Sequence, residues 1–417
     1  MSGFCYSPEI LEGMPRWLIS ELKQYEDWFV IEAPELKKIT DHFVKELERG
    51  LTKDGGNIPM NVTWVMEFPS GGEEGRILTL DMGGTYLRVC EVCFSQGQGD
   101  FEQTQRKFRL PEEVKTGSTA EQLWDWIAEH LQVFLHEHHA GGQFVALIND
   151  TTGTLIASHY RDPQIKIGSI FSTGCNAAYM EECRYIPKLR GLGLPENANV
   201  IINTEYGAFD NDRKVLPLTK FDHKIDEESI RPGTQIFEKM VAGLYIGEVL
   251  RLILVTLHEE GKMFEGQDIT HLRKENALEA SFLSIAETDF SPGLDEMRKE
   301  FEKTLSLTPS LDELKACRYL IVLVGTRAAR LYACGIAAIY KKKDLRKCHV
   351  GVDGAVFNRY RGFKERALQG LRDIFDWPPG ELELISLNPS EDGSSVGAAL
   401  AAALVLKAEQ KEKSVEQ

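Results

Sequence analysis

"RILTLDMGGTYLRVCEVCF" spans residues 76 to 94, and "TQRKFRL" follows at 104 to 110. Three β-rich runs separated by Gly and polar clusters read as an antiparallel meander. Upstream, "EAPELKKITDHFVKELERGL" sets Leu36, Ile39, Phe43 and Leu47 on one helical face. Downstream, "TAEQLWDWIAEHLQVFLHEHH" predicts an amphipathic helix over 119–139, and "FVALIND" and "LIASHY" predict strands. A Gly-rich turn "FSTGCNAAY" and a strand "NVIINTEYG" come next. "SIRPGTQIFEKMVAGLYIGEVLRLILVTLHEEG" predicts one long helix, opened near a Pro and stopped at Gly261. "LDELKACRYLIVLVGTRAARLYACGIAAIYKKK" predicts another, "HVGVDGAVF" a buried strand running into a turn, and "DGSSVGAALAAALVLKAEQKEK" a strand-to-helix turn with an Ala-rich helix. The acidic segment 263–310 reads as a surface excursion.

With 417 residues, 42% of them hydrophobic, the chain has apolar material for two linked domains. A formal charge of −16 without a basic block excludes nucleic acid and acidic membrane surfaces as partners. The eight cysteines, at 5, 90, 93, 175, 183, 317, 334 and 348, lie scattered in apolar contexts, and "MSGFCYSPEILEGMPRW" is no secretory leader. A reduced, cytoplasmic protein is the expectation. Cys90 and Cys93 would point to opposite faces of a strand, as buried thiols rather than a zinc pair. "VGAALAAALVL", 396–406, is too short to span a bilayer.

Three Gly-rich turns each follow a β-rich run: "LDMGGTYLR" (80–88), "FSTGCN" (171–176) and "EDGSSVGAAL" (391–400). Glycines let consecutive amide N–H groups and a Thr or Ser hydroxyl face an anion, and a following helix N-terminus adds positive potential. One such turn is commonly a hairpin or a helix cap; three, two of them preceded by Asp81 and Asp392, point to a phosphate-bearing ligand.

"LDMGGTYLRVCEV", "VALINDTTGTLIAS", "NTEYGAFDN", "RPGTQIFEKM", "GTRAAR", "VDG" and "EDGSSVGAAL" occur in the order of the eukaryotic hexokinase family, above all its fungal members, and the chain resembles that family over nearly its whole length. The resemblance implies an α/β, two-lobed, actin-like ATPase (ribonuclease H-like) fold. Segment 1–57 would pack on the large lobe, 58–158 would form the small lobe, 159–390 the large lobe, and 391–417 a helix returning to the small lobe. It also implies a hexose, glucose foremost with fructose or mannose as alternatives, phosphorylated at its 6-hydroxyl by MgATP at the head of glycolysis. Asp150 matches the family's base, which needs a position within hydrogen-bond reach of that hydroxyl. Asn149, Asn176, Glu205 and Glu238 match its hexose-binding positions, and amides and carboxylates suit sugar hydroxyls. Gly83, Gly84, Thr85, Thr173, Gly393 and Ser394 match phosphate-lining positions, with Asp81 and Arg88 beside them. Asp353 and Gly354 lie on the adenosine side. Mg²⁺ would arrive with ATP, without a protein cage. His130, His136, His138 and His139 read as a solvated helix end rather than a metal site.

The resemblance breaks after residue 139. There the family has a core strand ending in Ser-Phe-Pro, a Thr-Lys-Gly sugar-binding loop and a further helix. No Thr-Lys-Gly occurs in this chain, and Phe68–Pro69 belongs to an earlier motif. The small lobe is therefore expected to lack a strand, unless "FVALI" moves into its place, and to lack a Lys whose loss would lower the rate by orders of magnitude. Tyr86, Ser172 and Ser395 stand where the family has Asn, Gly and Gly, adding bulk beside the phosphates. Three readings follow: an active hexokinase of reduced rate; a non-catalytic regulator with protein partners, cytoplasmic or nuclear, acting in carbon sensing or extracellular protease control; and a splice form or incomplete gene model of an active enzyme.

Overall fold

The computed structural model describes residues 8–83, 86–94, 101–117, 119–138, 147–378 and 383–415. In chain order the elements begin with α1 (Arg16–Phe29), α2 (Ala33–Thr52), β1 (Asn61–Val62), β2 (Gly75–Met82), β3 (Tyr86–Phe94), β4 (Phe101–Arg109), α3 (Glu112–Lys115) and α4 (Ala120–His138). Next come α5 (Asp150–Arg161), β5 (Ile165–Phe171), β6 (Cys175–Glu182), β7 (Asn199–Asn203), α6 (Lys220–Glu228), α7 (Ile236–Val241), α8 (Gly243–Glu259), α9 (Ala280–Thr288) and α10 (Asp295–Leu305). The chain closes with α11 (Leu311–Lys342), β8 (Cys348–Asp353), α12 (Ala355–Arg359), α13 (Phe363–Phe375), β9 (Ile385–Ser390) and α14 (Gly393–Val415).

Two sheets organise these elements. The smaller is the antiparallel meander β2-β3-β4, with Asp81 opposite Arg88 and Cys90 opposite Gln105. One of its faces, carrying Leu87 and Val89, packs on Ile127 and Phe134 of α4. The other, carrying Cys90, Val92 and Phe94, packs on α5 and α14. Cys90 and Cys93 thus fall on opposite faces, as their spacing requires. The larger sheet has the order β1-β7-β6-β5-β8-β9, with β5, β8 and β9 parallel and the other pairings antiparallel. The carboxyl ends of these three parallel strands lie together, the edge at which open α/β sheets place ligands.

Helix α2 forms because its apolar residues recur at helical spacing and Pro34 sits in its first turn. Leu36, Ile39, Phe43 and Leu47 are fully buried, at roughly 1.5–3 kcal/mol each. Phe43 stacks on Phe209 with ring centroids 3.9 Å apart. The long α11 starts at a Ser310–Glu313 capping box and runs through the main core. This helix is long and apolar enough to cross a membrane, a feature the sequence reading overlooked in favour of 396–406, but 94% of its most apolar window is buried inside the protein. Helix α5 is wedged between α14 and the large sheet. A Cβ at Gly397 would lie 1.9 Å from the Gly153 carbonyl oxygen, and one at Gly168 would lie 2.5 Å from Leu155 Cα, so both contacts require glycine.

Three expectations are corrected. "LIASHY" is helix α5, and Leu147–Asn149 form no strand; "FVA", at 144–146, lies outside the described residues. The Thr, Leu and Ile content reads as β, but Asn149 caps the helix through its side chain, and Thr151, Thr152 and Thr154 are buried in tertiary packing that overrides propensity. The long helix predicted over 229–261 begins only at Ile236 and is broken at Ala242, whose ψ is 155°. The reason is distant in sequence: the N–H groups of Gly243 and Leu244 donate to the carbonyls of Ser172 (2.8 Å) and Thr173 (3.3 Å). Segment 263–310 is no surface excursion, since Phe282, Leu283, Met297, Phe301 and Leu305 of α9 and α10 are buried in the main core.

Candidate active site

Asn176 on β6 is the hub of one polar cluster. Its Oδ1 accepts from the N–H groups of Ala177 (2.7 Å) and Glu205 (3.0 Å) and from the Thr204 hydroxyl (3.2 Å). Its amide donates to Asn203 Oδ1 (2.7 Å) and Glu205 Oε1 (2.9 Å), and Asn203 donates to the same carboxylate oxygen at 2.8 Å. Two amides are thereby fixed in orientation, because a carboxylate only accepts. Glu205 holds a left-handed backbone (φ 56°), a conformation disfavoured for a non-glycine residue by roughly 1–2 kcal/mol and sustained by these bonds. Asn203 was missed in the sequence; a polar residue closing the apolar run "NVIIN" was its only signal.

Glu238 enters from α7, and its Oε2 accepts from the Cys175 N–H at 2.9 Å. A Cβ at Gly174 would lie 2.8 Å from that oxygen, so the glycine leaves room for the carboxylate. Burial raises the Glu238 carboxyl above its ordinary value; the Cys175 amide opposes this and the charge of Glu205 adds to it. The next residue, Lys239, is buried and pairs with Asp226 at 2.6 Å, which anchors α7.

Asn149 and Asp150 stand at the start of α5. Asn149 Oδ1 accepts from the Thr151 and Thr152 N–H groups at 2.9 and 3.3 Å. Asp150 Oδ1 accepts from the Thr151 N–H at 2.7 Å and its hydroxyl at 3.3 Å, leaving Oδ2 without a partner among the described residues. The Asp150 carboxyl is raised above its ordinary value, by the desolvation of its recess first and then by the negative charges of Asp81 and Glu205, against the Thr151 hydrogen bonds. No lysine or arginine pairs with it among the described residues.

On the other side of Asp150 the Gly-rich turns meet. Arg88 bridges Asp81 at 2.7 Å and Asp392 at 2.9 Å, and the Ser394 hydroxyl donates to Asp81 at 2.6 Å. The Gly393 N–H donates to Asp353 at 3.0 Å. Burial pushes the Asp353 carboxyl up to about 6. Gly354 has a φ of 134° and its Cα faces the Phe171 carbonyl, where a Cβ would stand 2.3 Å away. Thr173 is exposed at the tip of the β5–β6 turn, Gly83 donates to the Tyr86 carbonyl at 3.0 Å, and Gly84 and Thr85 lie outside the described residues. Gly393 and Ser394 open the 23-residue α14, whose N-terminus carries positive potential. Of the three bulky departures, Tyr86 is exposed, whereas Ser395 is fully buried inside α14 and does not crowd an anion. None of Tyr86, Ser172 and Ser395 has the positive φ that would demand glycine.

Among the described residues no group of three or more His, Cys, Asp or Glu could hold a metal ion. His130 is absorbed locally, its Nδ1 2.8 Å from the Trp126 carbonyl and its ring against Trp126 and Phe108. His139 lies outside the described residues.

Two family models described as hexokinase match residues 21–144 and 166–404. The chain belongs to the hexokinase family. It is 45% identical to the hexokinase of Emericella nidulans, with 95% of this chain and 93% of that one covered. Against hexokinase-1 of Saccharomyces cerevisiae the identity is 40%, with 94% of each covered. Among solved structures, the Schistosoma mansoni hexokinase complexed with glucose matches with a TM-score of 0.84 at 28% identity, over 93% of this chain and 99% of that one. The architecture is the two-lobed, actin-like ATPase fold of hexokinases. The Emericella alignment runs over 456 positions, whereas 95% of 417 residues is about 396, so about 60 positions of the relative have no counterpart here.

Proposed function

We propose that this hexokinase-family chain transfers the γ-phosphoryl group of MgATP to the 6-hydroxyl of a hexose, glucose foremost. Asp150 accepts the hydroxyl proton as the O6–P bond forms and the bond from phosphorus to the β–γ bridging oxygen breaks, giving hexose 6-phosphate and MgADP. Asn149, Asn176, Asn203, Glu205 and Glu238 hold the sugar hydroxyls. Gly83, Thr173, Gly393 and Ser394 line the phosphates; Asp81 and Arg88 lie beside them, and Asp353 and Gly354 on the adenosine side. The observation that carries this reading is the placement of Asp150 within the electrostatic reach of both Glu205, in the amide cluster, and Asp81, among the Gly-rich turns. A raised carboxyl pKa makes Asp150 a stronger proton acceptor once ionised. The division into 58–158 and 159–390, with 391–417 returning to the smaller part, is supported by the packing of Val396, Ala399, Leu400 and Ala401 of α14 with Cys90, Val92 and Phe94 of the small sheet, although Ile165, Ala178 and Ile201 of the large sheet share that cluster.

A coupled assay of sugar phosphate formation tests this. Asp150→Ala is expected to lower kcat by roughly 10²–10⁴ with glucose affinity kept within a few fold. Because Asp150 must be ionised, the acid limb of kcat should lie above the ordinary aspartate pKa, and it should vanish with the variant. One observation favours a second reading, that of a non-catalytic regulator: the absence of a cationic partner at Asp150 among the described residues. Glucose binding without turnover in the wild-type protein would establish that reading against the first.

A further inference from the structure

Asp392 has an unusual set of partners. It occupies a left-handed backbone position (φ 53°) immediately before the Gly393–Ser394 turn that opens α14. Its Oδ1 accepts from Arg88 Nη1 at 2.9 Å, and its Oδ2 accepts from Gln103 Nε2 at 3.0 Å and Gln105 Nε2 at 3.1 Å. All three donors project from one face of the small sheet, where Gln105 stands opposite Cys90, and Gln103 opposite Val92. The following two residues point elsewhere, the Gly393 N–H to Asp353 and the Ser394 hydroxyl to Asp81. The turn is thus tied to the small sheet through Asp392 and Ser394 and to the large sheet through the Gly393 N–H.

The glutamines share this face with the buried Cys90, Val92 and Phe94; Gln105 is half-buried and Gln103 exposed. Gln105 Oε1 is buried without a partner among the described residues. A carboxylate accepts only, so binding Asp392 obliges Gln105 to present its amino group and strand its carbonyl. A buried unpaired acceptor is unfavourable for stability, so the contact is not explained by sheet stability.

We propose that Gln103 and Gln105 are positioning residues for the nucleotide. Together with Arg88 they hold the Asp392 carboxylate against the small sheet, so that the N-terminus of α14, and not a negative charge, faces the triphosphate. The inference rests on the nucleotide half of the proposed function. Without the two amides, Arg88 alone holds the Asp392 carboxylate, through Oδ1, and Oδ2 is left to turn toward the phosphates and repel them.

The test uses the full chain with a non-hydrolysable MgATP analogue and with glucose, each titrated by calorimetry, alongside thermal melting. For the double variant Gln103→Leu/Gln105→Leu, Kd for the analogue should rise roughly tenfold. Kd for glucose should stay within about twofold, and the melting temperature should hold or increase, because an unpaired buried acceptor is removed. Adding Asp392→Asn should recover most of the lost affinity, since the repelling charge goes. An unchanged analogue Kd in the leucine variant overturns this inference alone. A parallel loss of glucose affinity and melting temperature overturns it in favour of a structural role. Wild-type protein that binds glucose but no analogue overturns it together with the nucleotide half of the proposed function.

Discussion

On the proposed hexose side, Asn176, Asn203 and Glu205 come from adjacent strands of one sheet and the turn after them, and hydrogen-bond one another at 2.7 to 2.9 Å. On the phosphate side, Asp81, Asp353 and Ser394 come from β2, β8 and α14, and are joined by Arg88 and by bonds that cross between the sheets. The first assembly needs only the large sheet to be folded. The second needs the two sheets to hold a set relation, with α5 and α14 between them. Rigidity is thus supplied locally for the sugar and by global packing for the nucleotide, and substitutions should separate the two.

The sharpest separation is expected from Asn176→Ala. It removes the acceptor for three donors and strands the Asn203 and Glu205 groups, so glucose affinity should fall by roughly 100-fold, with MgATP-analogue affinity within a few fold, by calorimetry. An equal loss of both would break the distinction. Gly397→Ala should act the other way: its Cβ would meet the Gly153 carbonyl at 1.9 Å, forcing α5 and α14 apart. A cost of about 1–3 kcal/mol should lower the melting temperature by several degrees and weaken analogue binding more than glucose binding. Smallest is Asp353→Asn. Its folded carboxyl, at about 6, lies above its unfolded value, so the native state holds the proton more tightly and this group's contribution declines as pH rises from the unfolded value through about 6. The variant should therefore melt a degree or two higher than wild type at pH 7.5, with a smaller gain at pH 5, followed by circular dichroism.

Much of this was legible in the sequence where local pattern and structure coincide. The meander, α2, α4 and α11 follow from periodicity, and the motifs single out Asn149, Asp150, Asn176, Glu205 and Glu238 as candidates. What failed was set by distant contacts. The α7–α8 break depends on carbonyls of Ser172 and Thr173, some seventy residues earlier, and no window of sequence contains both. Helix α5 was read as strand because buried Thr, Leu and Ile carry β preference, and only the capping bond of Asn149 and the packing of Gly153 and Gly168 decide otherwise. Ser395 was taken to crowd the phosphates because a side chain's direction is not written in its identity; α14 turns it inward.

The break at Ala242 has a thermodynamic meaning. Glu238 closes over the amide cluster from α7, while the first two amides of α8 grip the Ser172–Thr173 turn. One short stretch of chain therefore joins the proposed hexose cluster to the Ser172–Thr173 turn on the proposed phosphate side. Any preference a bound hexose has for one setting of α7 is imposed on the turn beneath the phosphates, and linkage requires the nucleotide to return the same factor to the hexose.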